Sequence, residues 1–232
     1  MKKIILFTGG IETQAFFSLQ IKTALETLGH ETFVFRLDDE EESVNRLLWF
    51  ANLHRGDTAV LTFNFHGISD EAFVRDRTGV SFWDALDIPC VNIVVDHPLY
   101  YHAFLSMRPR RYVHVNIDRR HRDYMRRFFP EVDAETFLPL AGTRIGGEAA
   151  AKEPARGNTG KRFDIVFTGN YTPPKQFEKY ITRLDDEYTA FYRGIIDELL
   201  TKPEKTLEEV AEAHIRREIP GVTEEELKAT FP

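Results

Sequence analysis

Apolar residues over the first 140 positions fall into short runs separated by longer mixed stretches. Lys3 to Thr8 is the first run, closed by Gly9-Gly10. Between Glu12 and Leu28 apolar residues recur at Phe16, Leu19, Ala24 and Leu28, near helical spacing, and Gly29 stops the pattern. Glu31 to Leu37 predicts a second strand. The acids Asp38 to Glu42 then suit the positive end of a helix that continues from Ser43 to Leu53. Thr58 to Phe63 predicts a third strand, ending in Asn64-Phe65-His66-Gly67. Ser69 or Asp70 could cap a short helix, and Ser81 another around Trp83 to Leu86.

The next run, Cys90 to Val95, is broken only by Asn92 and is short enough for a strand buried on both faces. It stops at Asp96-His97-Pro98. Pro98 fits the first turn of a helix, predicted over Leu99 to Met107. Arg111 to Ile117 alternates as a fifth strand. Asp118 can cap a helix from Arg119 to Phe129, which Pro130 ends, and Glu135 to Leu138 is a short strand. Strand–helix alternation of this length predicts an α/β fold: a Rossmann-like, mostly parallel sheet flanked by helices, over residues 1–140.

The pattern breaks at residues 141–162, a Gly-, Ala- and Pro-rich stretch that reads as a linker or exposed loop. Residues 163–232 read as a strand, Phe163 to Thr168, followed by a helical C-terminal segment. Its helices are predicted over Lys175 to Leu200, Thr206 to Glu218 and Glu224 to Thr230, with capping boxes at Thr206/Glu209 and Thr223/Glu226.

Composition narrows the classes of function. A chain of 232 residues with 42% hydrophobic and 29% charged residues has the make-up of a globular protein. The net charge of −7 argues against general nucleic-acid binding, which needs a basic footprint. The single cysteine, Cys90, has no partner for an internal disulfide and implies a reduced, cytoplasmic setting. No run of about 18–20 apolar residues predicts a membrane span. The opening M-K-K-I-I-L-F is too short for a signal core and reads as the first strand. No metal-ligand spacing, nucleophile elbow or phosphate-binding Walker loop is present.

In a parallel sheet all strands leave the same edge, and ligands collect there. The candidates are therefore the strand ends. Gly9 and Gly10 let a ligand approach the backbone, or simply close a tight turn. Asn64 and His66 end the third strand; an imidazole there could act as a general base or only hydrogen-bond its loop. Asp96-His97 pairs a carboxylate with an imidazole, a pair that could carry base chemistry, although either residue could instead cap the next helix. Tyr100 and Tyr101 add polar aromatic groups, and only one of them can face a ligand. Asp118 and His121 begin the helix after the fifth strand. The arginines from Arg108 to Arg127 form a local basic region, suited either to phosphate or to pairing with neighbouring acids.

Several blocks carry a resemblance: F-x-T-G-G, N-F-H-G, V-V-D-H-P-L-Y-Y-H, I-D-R-R-H, F-L-P-L-A-G and F-T-G-N-Y-T-P-P, from Ile4 to about Leu200. In these the chain resembles the CgeB-like, glycosyltransferase-like proteins of bacteria. The resemblance implies a GT-B architecture, with acceptor recognition mainly by the first domain and nucleotide-sugar binding mainly by the second. It implies a nucleotide-sugar donor, an acceptor of unknown identity, and neither metal nor other cofactor. His66 or the Asp96-His97 pair become the base candidates, Gly9 and Gly10 the acceptor-side lining, and Gly169 and Tyr171 part of the second domain's first turn. About 70 residues follow Phe163, fewer than a full donor domain needs, so an incomplete second domain is expected. The competing expectation is a non-catalytic Rossmann-like module that binds a nucleotide, a sugar or a protein partner.

Overall fold

The computed structural model describes residues 2–54, 56–75, 79–140, 169 and 171–230. The chain divides into two compact units on either side of residue 141.

The first unit is an α/β fold. Its sheet holds β1 (Lys3–Thr8), β2 (Glu31–Arg36), β3 (Thr58–Phe63), β4 (Cys90–Val94) and β5 (Tyr112–Asn116) in the order β2-β1-β3-β4-β5, every pair parallel. Helices α1 (Glu12–Thr27), α2 (Glu40–Leu53), α3 (Phe82–Ala85), α4 (His102–Ser106) and α5 (Arg119–Phe128) make the connections. This is the Rossmann-like arrangement that the alternation of runs predicts. The segment around Glu135 to Leu138 runs alongside β5 through two isolated parallel bridges, Val113 to Asp133 and Asn116 to Phe137. The chain direction reverses between β1 and β3, which makes their ends the switch point of the sheet.

The two faces of the sheet differ in chemistry. Phe63, Ile93 and Val115 form an apolar cluster on one face, joined by Ile21 of α1. On the other face the strand period of two and the register bring Thr62, Asn92 and His114 into one row across β3, β4 and β5. All three are buried. A buried polar row must be hydrogen-bonded to be tolerated, and all but one of its side-chain polar atoms are; among the described residues His114 Nε2 has no hydrogen-bond partner. Asn92 Nδ2 donates to Tyr112 Oη (3.0 Å), and Tyr112 Oη lies 3.0 Å from His114 Nδ1. Thr62 Oγ1 donates to the His66 carbonyl (2.6 Å).

Local expectations fail where side chains take over backbone duties. The stretch after Ser69 and Asp70 makes turns rather than a helix. The Glu71 carboxylate accepts from the N–H groups of Gly67 (2.5 Å) and Ser69 (3.1 Å), ending the turn locally. Ser81 precedes α3 without a side-chain cap. Asp118 does cap α5, accepting from Arg120 N at 2.7 Å.

The second unit, among its described residues, is helical: α6 (Glu178–Ile181), α7 (Asp186–Thr201), α8 (Leu207–Glu218) and α9 (Glu224–Thr230). The single helix expected from Lys175 to Leu200 is broken, because Asp185 caps a new start by accepting from Tyr188 N at 2.8 Å. Thr206 and Glu209 form the expected capping box, and Thr223 and Glu226 exchange the equivalent bonds. Glu198 ties α7 to α8. It accepts from Lys202 (3.0 Å) and Lys205 (2.8 Å) and meets His214 Nε2 at 3.1 Å. Hydrogen bonds from Lys205, Lys202 and His214 hold its carboxyl down, at about 2. Gly194 admits the histidine, since a Cβ there would lie 2.9 Å from His214 Cε1. The predicted linker at 141–162 and the predicted strand from Phe163 to Thr168 lie outside the described residues.

Candidate functional site

The switch point is built by two turns. After β1, Gly9 and Gly10 both take positive φ, +90° and +67°. After β3, Asn64 (φ 48°) and Phe65 (φ 65°) are both in the left-handed region, and His66 N donates to the Phe63 carbonyl at 3.0 Å. Two successive left-handed central residues are the signature of a type I′ turn. Asparagine accepts this conformation readily; phenylalanine does so at a cost of about 1–3 kcal/mol. Phe65 is held there from two directions. Its N–H donates to Asn92 Oδ1 at 3.1 Å. Its buried ring stacks on Tyr101 and Tyr112, with centroids 5.5 Å and 5.7 Å away.

The strained turn places the polar residues on either side of it. His66 sits against Gly10, where a Cβ would lie 3.4 Å from His66 Cε1. Burial lowers the His66 pKa and Glu71 partly opposes the shift, so the ring is neutral at pH 7. Asn64 reaches across to β4: its Nδ2 donates to Asp96 Oδ2 (2.8 Å) and its Oδ1 accepts from Val95 N (2.9 Å). Tyr101 Oη donates to the same Asp96 oxygen at 3.0 Å. Burial first, and then Asp96, raises the Tyr101 pKa, so its hydroxyl stays protonated. Asn64, Asp96 and Tyr101 thus form one group; Gly10 and His66 form another beside it through the Asn64–His66 turn.

His97 belongs elsewhere. Asp96 directs its carboxylate at Asn64 and Tyr101, whereas His97 Nδ1 accepts from Leu99 N (3.2 Å) and caps the helical turn from Pro98 to Tyr101. The two neighbours thus have separate tasks: Asp96 binds the turn after β3 and Tyr101, and His97 starts the next helical turn. The His97 ring instead packs at 5.0 Å from His121 and 5.3 Å from Tyr124 of α5. Tyr124 Oη lies 2.7 Å from His102 Nδ1, and burial lowers the His102 pKa. Tyr100 is 78% exposed and has no place in these groups; Tyr171, in the second unit, is 81% exposed. Gly169 is likewise exposed. Asp118 serves as the α5 cap.

The basic region is largely paired. Arg126 makes a two-bond contact with Glu135 (2.8 Å and 2.6 Å), and Arg108 and Arg111 pair with Glu131 and Asp87. Arg119 lies over the Phe137 ring. Sequence reasoning missed Asn92 as a turn support, Glu71 as the His66 neighbour, and Tyr124 as the link between His97 and His102. Only Asn92 left a trace, as the one polar interruption in the β4 run.

Fold and site together define a Rossmann-like α/β protein with a polar strand-end site at the β1/β3 switch point. No known family model, curated protein or solved structure matches the chain. Among the described residues, no helix is long and apolar enough to cross a membrane. No group of three or more His, Cys, Asp or Glu side chains there is placed to hold a metal ion.

Proposed function

We propose that this chain is the acceptor-side part of a GT-B-type glycosyltransferase of the CgeB-like kind, which moves a sugar from a nucleotide donor to an acceptor hydroxyl. The observation that carries the reading is the strained Asn64–His66 turn. It presents a neutral imidazole beside the open backbone of Gly10 and a carboxylate–tyrosine pair at the next strand end. In this reading His66 takes the proton from the acceptor hydroxyl as its oxygen attacks the anomeric carbon and the nucleoside diphosphate leaves. Asn64, Asp96 and Tyr101 orient hydroxyl groups of the acceptor. A neutral ring is the form a base requires, and burial supplies it at pH 7.

The test is turnover of a panel of nucleotide sugars, read as nucleoside diphosphate release, with His66→Ala and Asp96→Ala compared at equal folded fraction. Loss of at least about a hundredfold in His66→Ala matches removal of a general base. Unchanged turnover in both variants removes these residues from the mechanism. A second reading, a binding module without catalysis, is favoured by one observation: Asp96 Oδ2 already accepts two internal bonds. Calorimetric binding of a nucleotide or sugar with no turnover selects it.

A further inference from the structure

We infer that the groove between β2 and α2 is a docking site for an extended peptide bearing an acidic residue, which adds to the sheet as a further strand. β2 is the outermost strand on its side. Glu31 N donates to the Lys2 carbonyl. By the alternation of a parallel ladder, the main-chain groups of Glu31, Phe33 and Phe35 face β1, and those of Thr32, Val34 and Arg36 face outward. The Arg36 groups are closed off: its N–H donates to Ser43 Oγ (3.0 Å), and Ser43 Oγ donates to its carbonyl (3.2 Å). Among the described residues nothing closes those of Thr32 and Val34. An open edge of this kind is a template for another strand.

Beside these open groups lies a hollow of about 460 Å³ between β2 and α2. Its floor is apolar, with Phe33 and Phe50 rings 5.2 Å apart, and its wall is Trp49, 69% exposed. A strand laid along Thr32 and Val34 directs every second side chain toward this hollow. The charges on the rim select what it carries. Of the two acids in the lining, Glu31 is engaged by Lys3 and approached by His54 at 3.6 Å, and Glu42 stands one helical turn before Arg46. Arg46 is the one cation of the lining: its guanidinium lies over the Phe33 ring, 5.8 Å from the centroid, and among the described residues no carboxylate pairs with it. An acidic side chain on the incoming strand supplies that partner, next to an apolar one seated on Phe33 and Trp49. The groove opens along the β2 edge, whereas the polar site lies at the strand ends, so this binding does not depend on the activity proposed above.

The experiment selects phage-displayed linear heptapeptides on the whole chain and titrates the synthesised winners by tryptophan emission. Trp83 is fully buried, so a shift on binding reports Trp49. The expected winners combine an apolar and an acidic residue at strand spacing. Val34→Pro removes an outward N–H and no ladder bond, a substitution that edge strands accommodate, and it weakens binding about tenfold or more. Arg46→Glu changes the selected residue from acidic to basic, and it decides the matter alone if Val34→Pro does not fold. The proposal is overturned if no peptide is enriched, or if winners bind both variants as they bind the parent. It is equally overturned if free sugars or nucleotides, and no peptide, shift the Trp49 emission.

Discussion

Gly67 shows how tightly single positions are determined near the switch point. Its φ is +72°, and a Cβ on it would fall inside the van der Waals shell of the Phe7 ring. Its carbonyl accepts from Trp83 Nε1 at 2.7 Å, and its N–H is held by Glu71. The group that approaches this glycine is a core ring of β1, not a ligand. Gly67→Ala therefore combines backbone strain with overpacking, and is expected to cost roughly 2–5 kcal/mol. Urea denaturation checks it: a midpoint within error of the parent would mean that the Phe7 ring can move aside.

Among the elements, β4 carries the most. Asn92 sits in the middle of its buried run and serves two neighbours, accepting from Phe65 N and donating to Tyr112 Oη. It thereby links the turn after β3 to the interior of β5. Replacing it with leucine keeps the volume roughly constant but leaves the Phe65 N–H buried and unpaired. The expected cost is about 1–3 kcal/mol, together with a displaced His66, since the turn loses one of its two restraints. The resonances of His66 in a proton–nitrogen spectrum would move in Asn92→Leu and hold still in a control such as Val91→Leu. Equal spectra would show that ring packing alone holds the turn.

For the first unit as a whole, the buried polar row makes stability depend on acidity. Burial, aided by the nearby His121, lowers the His114 pKa from 6.5 to about 4. The unfolded chain takes up this proton near pH 6.5 and the folded chain only near 4. Stability tied to this group is whole above pH 6.5, declines as the pH falls, and is lost by pH 4, a change of about 3 kcal/mol. His66 and His102 shift in the same direction. Depressed carboxyls such as Glu198 act only below their ordinary range near 4.5. Between pH 7 and 5 the histidines therefore dominate. Urea midpoints over that interval should fall less steeply in His114→Gln than in the parent. Identical slopes would assign the acid sensitivity to other groups.

Most of the architecture of the first unit was present in local pattern. Run length, the glycines after β1 and α1, and the cap at Asp118 all act within a few residues, so they are legible one segment at a time. Parallel pairing followed from the spacing of the runs, because parallel strands need long crossovers. The grouping of polar residues was another matter. Nothing in the order of residues says that Asn64 meets Asp96, that His97 caps the turn after it, or that Tyr124 stands between His97 and His102. Those pairings arise from strand register and from the turns and helices that follow each strand. They exist only once the sheet has assembled: the order of residues sets which polar groups end each strand, and the fold alone chooses their partners.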